Sequence, residues 1–204
     1  MRKYDSKIRA QQAEITKSQI AKTFEKLIHS KDIRSISIKE ICKEAGVSVG
    51  TFYLYFENKE EALLYNYHIS DDIFSNIELE KDRCPIENLN IILNKYIEMI
   101  DFNLMNNMRQ TYIAHLMYFD EYFFSWDRGL ICKILECVDC GQQQGRLTTE
   151  YSNKEITIKI LRFIRGCLYD LLIREKLIDL ESWKSEVIVD INKYVSIFNG
   201  ENRE

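Results

Sequence analysis

Apolar residues return every three or four positions along most of this chain, the period of an α-helix packed along one face. Ile20, Phe24, Leu27 and Ile28 form one such stripe, and Ile38, Ile41, Cys42 and Ala45 a second. Leu89, Leu93, Tyr96 and Ile100 follow, then Leu130, Ile134, Leu135 and Val138. Two longer stripes close the chain: Ile156, Ile160, Phe163, Ile164, Cys167 and Leu171, then Trp183, Val187, Ile191, Tyr194, Val195 and Phe198. Only one proline and seven glycines interrupt 204 residues, too few turn formers for a strand-rich chain. The pattern predicts an all-α protein.

Cap signals place the helix starts, because a Ser, Thr, Asn or Asp side chain can satisfy the free N–H groups of a first turn. Thr16 with Gln19, flanked by Ile15 and Ile20, predicts the start of a first helix. Ser37 with Glu40, flanked by Ile36 and Ile41, predicts a second, and Ser48, between Val47 and Phe52, a third. Asn58 with Glu61 opens a fourth, expected to reach about Glu80. Further helices are expected from Pro85 to about Asn107, Arg109 to about Asp120, Ser125 to Gln144, from a Ser152/Glu155 capping box onward, and from Asp179 or Ser182.

The stretch "GVSVGTFYLYFENK", Gly46 to Lys59, does not fit a helix that is simply buried. Phe52 and Phe56 suit a core, whereas Ser48, Val49, Thr51, Tyr53 and Tyr55 form a second, outward face. Only Ala45-Gly46-Val47-Ser48 separates this helix from the one before it, a turn in which glycine can take positive φ. Two short helices so joined form a helix-turn-helix, whose second helix enters the DNA major groove. Hydroxyls of serine and tyrosine can bond phosphates, and valine or threonine methyls can meet the thymine methyl.

Charge agrees with that division. The net charge is −4, yet residues 1–67 hold 12 Lys+Arg against 9 Asp+Glu and residues 68–204 hold 16 against 23. A basic module joined to an acidic body is therefore expected, divided at about residue 60 into 1–60 and 61–204. No apolar run approaches a membrane span, and the charged N-terminal stretch lacks a signal-peptide core, so a soluble cytoplasmic protein is expected.

Residues 35–67, "SISIKEICKEAGVSVGTFYLYFENKEEALLYNY", closely resemble the DNA-binding domain of TetR-type bacterial transcriptional regulators. Gly-Val-Ser, Gly-Thr, the aromatics Tyr53 and Phe56, and Lys59 stand in the family's register, and the likeness is specific over about residues 14–67. The resemblance implies an all-α homodimer with an N-terminal three-helix reader and a C-terminal ligand-binding and dimerisation body. It implies DNA contacts from Ser37, Lys39, Ser48, Val49, Gly50, Thr51, Tyr53, Tyr55 and Lys59, with Lys59 on a phosphate. Double-stranded operator DNA, as an inverted repeat, and a small-molecule effector are the implied partners. Val49 and Leu54 depart from the pattern, standing where many members carry polar or basic side chains. Direct base readout is accordingly expected to be sparse, with more specificity drawn from DNA shape.

The body is rich in rings, including Tyr118, Phe119, Tyr122, Phe123 and Phe124, most of which suit a core. Tyr96, Tyr112, His115 and Trp126 are the candidates for lining an effector cavity. The last two helices carry more apolar surface than one core needs, which suggests a symmetric four-helix contact between two copies. A rival regulatory chemistry resides in Cys132, Cys137 and Cys140, where a C-x-x-C pair could sense redox state or a metal. No histidine lies near and no second pair completes a zinc set, so no metal or cofactor is expected. Phosphate-binding glycine loops, His-Glu-x-x-His and nucleophile elbows are all missing, which argues against an enzyme.

Overall fold

A computed structural model describes residues 2–80, 82–117 and 121–200. Its helices are α1 (Arg2–Ser30), α2 (Ile38–Ala45), α3 (Val49–Tyr55), α4 (Lys59–Ser75), α5 (Pro85–Glu98), α6 (Phe102–Met117), α7 (Glu121–Phe124), α8 (Gly129–Gln143), α9 (Asn153–Arg174) and α10 (Leu180–Ser196). A 3-10 turn at Ile33–Ser35 joins α1 to α2. Among the described residues the only β-type pairing is an isolated antiparallel bridge between Leu147 and Asn199.

The chain forms two compact units: Met1–Ser70 with Phe102–Phe124, and Asp71–Asp101 with Ser125–Glu204. The first is built on Phe52 and Phe24, both fully buried, with Ile20, Ile28, Ile36, Ile41, Phe56 and Leu63 around them. Helix α6 belongs to this unit because its asparagines complete the end of α1. Asn106 donates to the carbonyl of Ile28 at 2.6 Å, and Asn107 donates to Glu25 at 2.8 Å. The grouping by contact therefore differs from a division of the chain at residue 60.

The second unit packs α5 against α8 and α10 and α8 against α9, burying Leu89, Ile92, Leu93, Ile134, Val138, Ile160, Ile164 and Ile191. A buried ion pair lies in it: Arg128, just before α8, donates to Asp71 of α4 at 3.1 Å, and both residues are about 5 % exposed (4 % and 5 %). Gly129 lets α8 start against α4, since a Cβ there would sit 2.5 Å from the carbonyl oxygen of Asp71.

Several expected boundaries hold. Ser37 and Ser48 accept from the N–H groups of Glu40 and Thr51, Asn58 from that of Glu61 and Asp179 from that of Ser182. The Ser152/Glu155 box is complete in both directions. Four expectations fail. Thr16 is no cap: it lies inside α1, its hydroxyl donating back to the Gln12 carbonyl at 2.9 Å. The helix from Pro85 ends at Glu98 and the next begins at Phe102, so the break is not near Asn107. α4 ends at Ser75 rather than Glu80. α8 begins at Gly129, because residues 125–128 form the turn that brings Arg128 to Asp71. Asp120, Tyr118 and Phe119 lie outside the described residues.

Candidate nucleic-acid interface

The reader is assembled by hydrogen bonds that act over a few residues. Gly46 takes φ 68°, ψ 30°, the left-handed conformation that ends α2, and its N–H donates to the Lys43 carbonyl at 3.3 Å. Gln19 of α1 holds the same turn, donating to the Ala45 carbonyl at 2.8 Å. Ser48 then caps α3, and its hydroxyl also shares a 2.8 Å hydrogen bond with the hydroxyl of Thr51. One proton joins the two oxygens, so the pair keeps the other for an outside acceptor.

Inside α3, Phe52 is buried, with Phe56 5.6 Å away ring to ring and also buried. Facing out are Val49, Gly50, Tyr53 at 56 % exposure and Leu54 at 74 %. Ser37, Lys39 and Ser48 are exposed as well, while Thr51 is half-buried. Tyr55 departs from its expected outward position: it is half-buried and packs on the Phe52 cluster. Leu54, not among the expected DNA contacts, is the most exposed apolar side chain of α3. Its position, two residues from Phe52 and Phe56 alike, was the available signal.

Gly50 is exposed and helical, and a Cβ there would meet only the Ser48 oxygen at 3.6 Å, an ordinary contact. Glycine inside a helix costs roughly 0.5–1 kcal/mol relative to alanine, yet nothing within the protein requires it here. A close approach by something outside the protein is the remaining use for a position without a side chain.

Lys59, on the first turn of α4, is part-buried and already engaged. Its ammonium donates to the carbonyl oxygens of Ile33 and Ile36, the latter at 3.0 Å. It thereby braces the 3-10 turn that leads into the Ser37 cap. Lys31 pairs with Glu40 across that connection, and Arg34 forks onto Asp32 at 2.7 and 3.0 Å. The Arg34 hydrogen bond holds the Asp32 carboxyl down at about 2. On the other side, the Tyr65 hydroxyl donates to Glu14 at 2.6 Å, tying α4 to α1, and burial pushes that phenol up to about 12.

The four effector candidates divide between the units. Tyr112 and His115 are half-buried in the first, with His115 4.1 Å from the Phe123 ring. Tyr96 and Trp126 are half-buried in the second, where Tyr96 packs on Phe74 at 5.6 Å and burial pushes its phenol up. Trp126 lies under the Lys154 ammonium at 5.0 Å. The first unit also holds a groove of about 850 Å³ walled by Ile28, Ile33, Ile113 and Met117, with Arg109 and Gln110 along it.

The thiols do not form a primed pair. Cys137 is buried, and burial pushes its thiol up to about 12, so it carries almost no thiolate at neutral pH. Exposed Cys132 donates to the Trp126 carbonyl at 2.9 Å, and Cys140 accepts from Gln144 at 3.2 Å. Among the described residues no group of three or more His, Cys, Asp or Glu could hold a metal ion, and no helix is long and apolar enough to cross a membrane.

Residues 20–65 match the family described as bacterial regulatory proteins, tetR family. The fold is similar to that of a TetR transcription regulator from Haloarcula marismortui, at TM-score 0.70 and 15% identity over 91% of this chain and 99% of that one. It is also similar to SmeT, the repressor of a Stenotrophomonas maltophilia multidrug efflux pump, at TM-score 0.65 and 16% identity over 91% of each chain. A third likeness is to the transcriptional regulator FadR of Bacillus subtilis in complex with stearoyl-CoA, at TM-score 0.59 and 18% identity over 85% and 96%. No curated protein sequence matches the chain.

Proposed function

The chain is a tetR-family regulator, and from that premise we propose that it is a sequence-specific DNA-binding repressor, released from a palindromic operator by a small-molecule effector. The observation that carries this reading is the outer face of α3, where Val49, Gly50, Tyr53 and Leu54 stand exposed beside the Ser48–Thr51 hydroxyl pair. Ser37 and Lys39, exposed at the start of α2, flank it as phosphate contacts. Tyr55 acts mainly by seating α3 on its core. Lys59 keeps α2 in place and offers its remaining N–H to a phosphate.

Two copies, joined through α9 and α10, would present two readers to an inverted repeat. The exposed apolar side chains Tyr169, Ile173 and Leu177 on and just after α9, and Val189 on α10, support that assembly. Val187 belongs to the core of one copy, so Ile173, not Val187, is the position to charge when testing it. An effector would act by binding the DNA-incompetent arrangement more tightly. A coupling of about 1–3 kcal/mol would change operator affinity roughly 5- to 150-fold. A ligand with an apolar part is favoured by the Ile28, Ile33, Ile113 and Met117 wall of the first unit's groove, in keeping with the stearoyl-CoA of FadR. α4 is the natural lever, because the boundary between the two units falls within it.

Selection from a random DNA library tests the reading. Enrichment of an inverted repeat, bound by the wild type far more tightly than scrambled DNA, is expected. Equal affinity for every sequence would overturn it. In the same assay Lys59→Ala should weaken all sites alike and flatten the salt slope by about one phosphate contact.

A further inference from the structure

The groove of the first unit changes polarity along α6. Asn106, Arg109 and Gln110 line it toward the start of that helix, and Ile113, Ala114 and Met117 one and two turns further on. From Arg109 to Met117 this wall runs about 12 Å at the helical rise. Ile28 of α1 and Ile33 of the 3-10 turn complete the apolar lining. Ile113 and Met117 are exposed, so covering them with an apolar tail is favourable. At about 850 Å³ the groove has the size of a small-molecule site.

The charges of the lining favour an acid. Lys31, Arg34 and Arg109 stand against Asp32 and Glu60, a basic excess in a chain whose net charge is −4. Arg34 forks onto Asp32, and Lys31 pairs with Glu40. Arg109 lies at the polar end of the α6 wall, next to Gln110. A guanidinium beside a side-chain amide is a donor set for a carboxylate, because the planar fork matches its two oxygens.

The same groove reaches the parts that hold the reader. Ile33 lines it, and the Ile33 carbonyl is one of the two that Lys59 holds. The other belongs to Ile36, next to the Ser37 cap of α2. Asn106, in the opposing helix, holds the Ile28 carbonyl in the last turn of α1. A ligand seated against both α6 and the 3-10 turn therefore bears on α2 and Lys59 through contacts within one unit.

We propose that this groove is an effector site for an amphipathic carboxylate with an unbranched apolar tail. Arg109 and Gln110 bind the carboxylate, and the tail lies along Ile113 and Met117. Its entry displaces the 3-10 turn, disturbs the Lys59 brace and loosens the reader on its operator. By linkage the acid and the operator weaken each other by one factor, roughly 5- to 150-fold. The inference rests on the DNA-binding reading above and adds the chemical class of the effector and a site for it in the unit that carries α3.

Titration calorimetry of the full-length protein with decanoate, decanol and decylamine tests the groove. Decanoate should bind at least about tenfold more tightly than the other two, since only it bonds a guanidinium as an anion. Arg109→Gln should reduce decanoate to the level of decanol. Ile113→Glu, at an exposed position, should abolish binding while the thermal midpoint stays as in the wild type. Decanoate that fails to bind, binds no better than decanol, or binds both variants as it does the wild type overturns the site. Operator affinity with and without saturating decanoate tests the coupling, and a groove-bound decanoate that leaves it unchanged overturns the regulatory role. A wild type that binds no operator overturns the DNA-binding reading, and calorimetry then decides the groove by itself.

Discussion

The two units differ in whether they bury a full ion pair. In the first, caps stand at the helix ends, at Ser37, Ser48 and Asn58, and the cluster around Phe52 is apolar throughout. The second buries an ion pair, Asp71 with Arg128, while buried amide oxygens without a hydrogen-bond partner occur in both, at Asn107 in the first and at Asn90, Asn94 and Asn192 in the second. A reader that must present one fixed helix gains from short-range bonds that leave few alternatives. A buried ion pair costs more and can rearrange, which suits the proposed response to a ligand.

The sharpest way to break this comparison is to remove one anchor from each unit. Phe52→Ala and Arg128→Ala should each cost about 3–5 kcal/mol, the first through a cavity and the second by leaving Asp71 without its main buried partner. Both tryptophans, Trp126 and Trp183, lie in the second unit, so their fluorescence reports on it alone. Arg128→Ala should shift the denaturant midpoint seen by tryptophan. Phe52→Ala should act first on operator binding and helicity. Identical shifts by both probes would mean that the units do not differ in the way proposed.

Gly46→Ala comes next, costing about 1–2 kcal/mol because φ 68° is strained for any residue with a Cβ. Its effect should fall on the reader, measured as loss of operator affinity at temperatures where tryptophan fluorescence is still native.

The smallest effect discriminates best. Gly50→Ala should raise stability by about 0.5–1 kcal/mol, since the site is helical and open, yet weaken operator binding. Higher stability with undiminished binding would remove the argument that this glycine serves a close approach to DNA.

Much of the reader was legible in advance because its determinants are local. Ser37, Ser48 and Asn58 bond to N–H groups three residues on, and Gly46 needs only its own φ. Thr16 shows where that logic stops: the same cap spelling lies inside a continuous helix, because neither Gly nor Pro interrupts the residues before it. The break at residues 99–101 was likewise missed, as it carries no proline or glycine and the apolar stripe runs on through it.

The sequence by itself determined the helical period, the turn at Gly46, the three caps of the reader and the inner face of Phe52 and Phe56, since each depends on bonds or periodicity within a few residues. Only the tertiary structure decided that Lys59 holds the carbonyls of Ile33 and Ile36, that Tyr55 turns to the core and leaves Leu54 outermost, that Asn106 and Asn107 bind α6 to α1, and that Arg128 meets Asp71 across 57 residues. Those pairings join positions far apart in the chain, and what selects them is the burial of surfaces that exist only once the helices have packed.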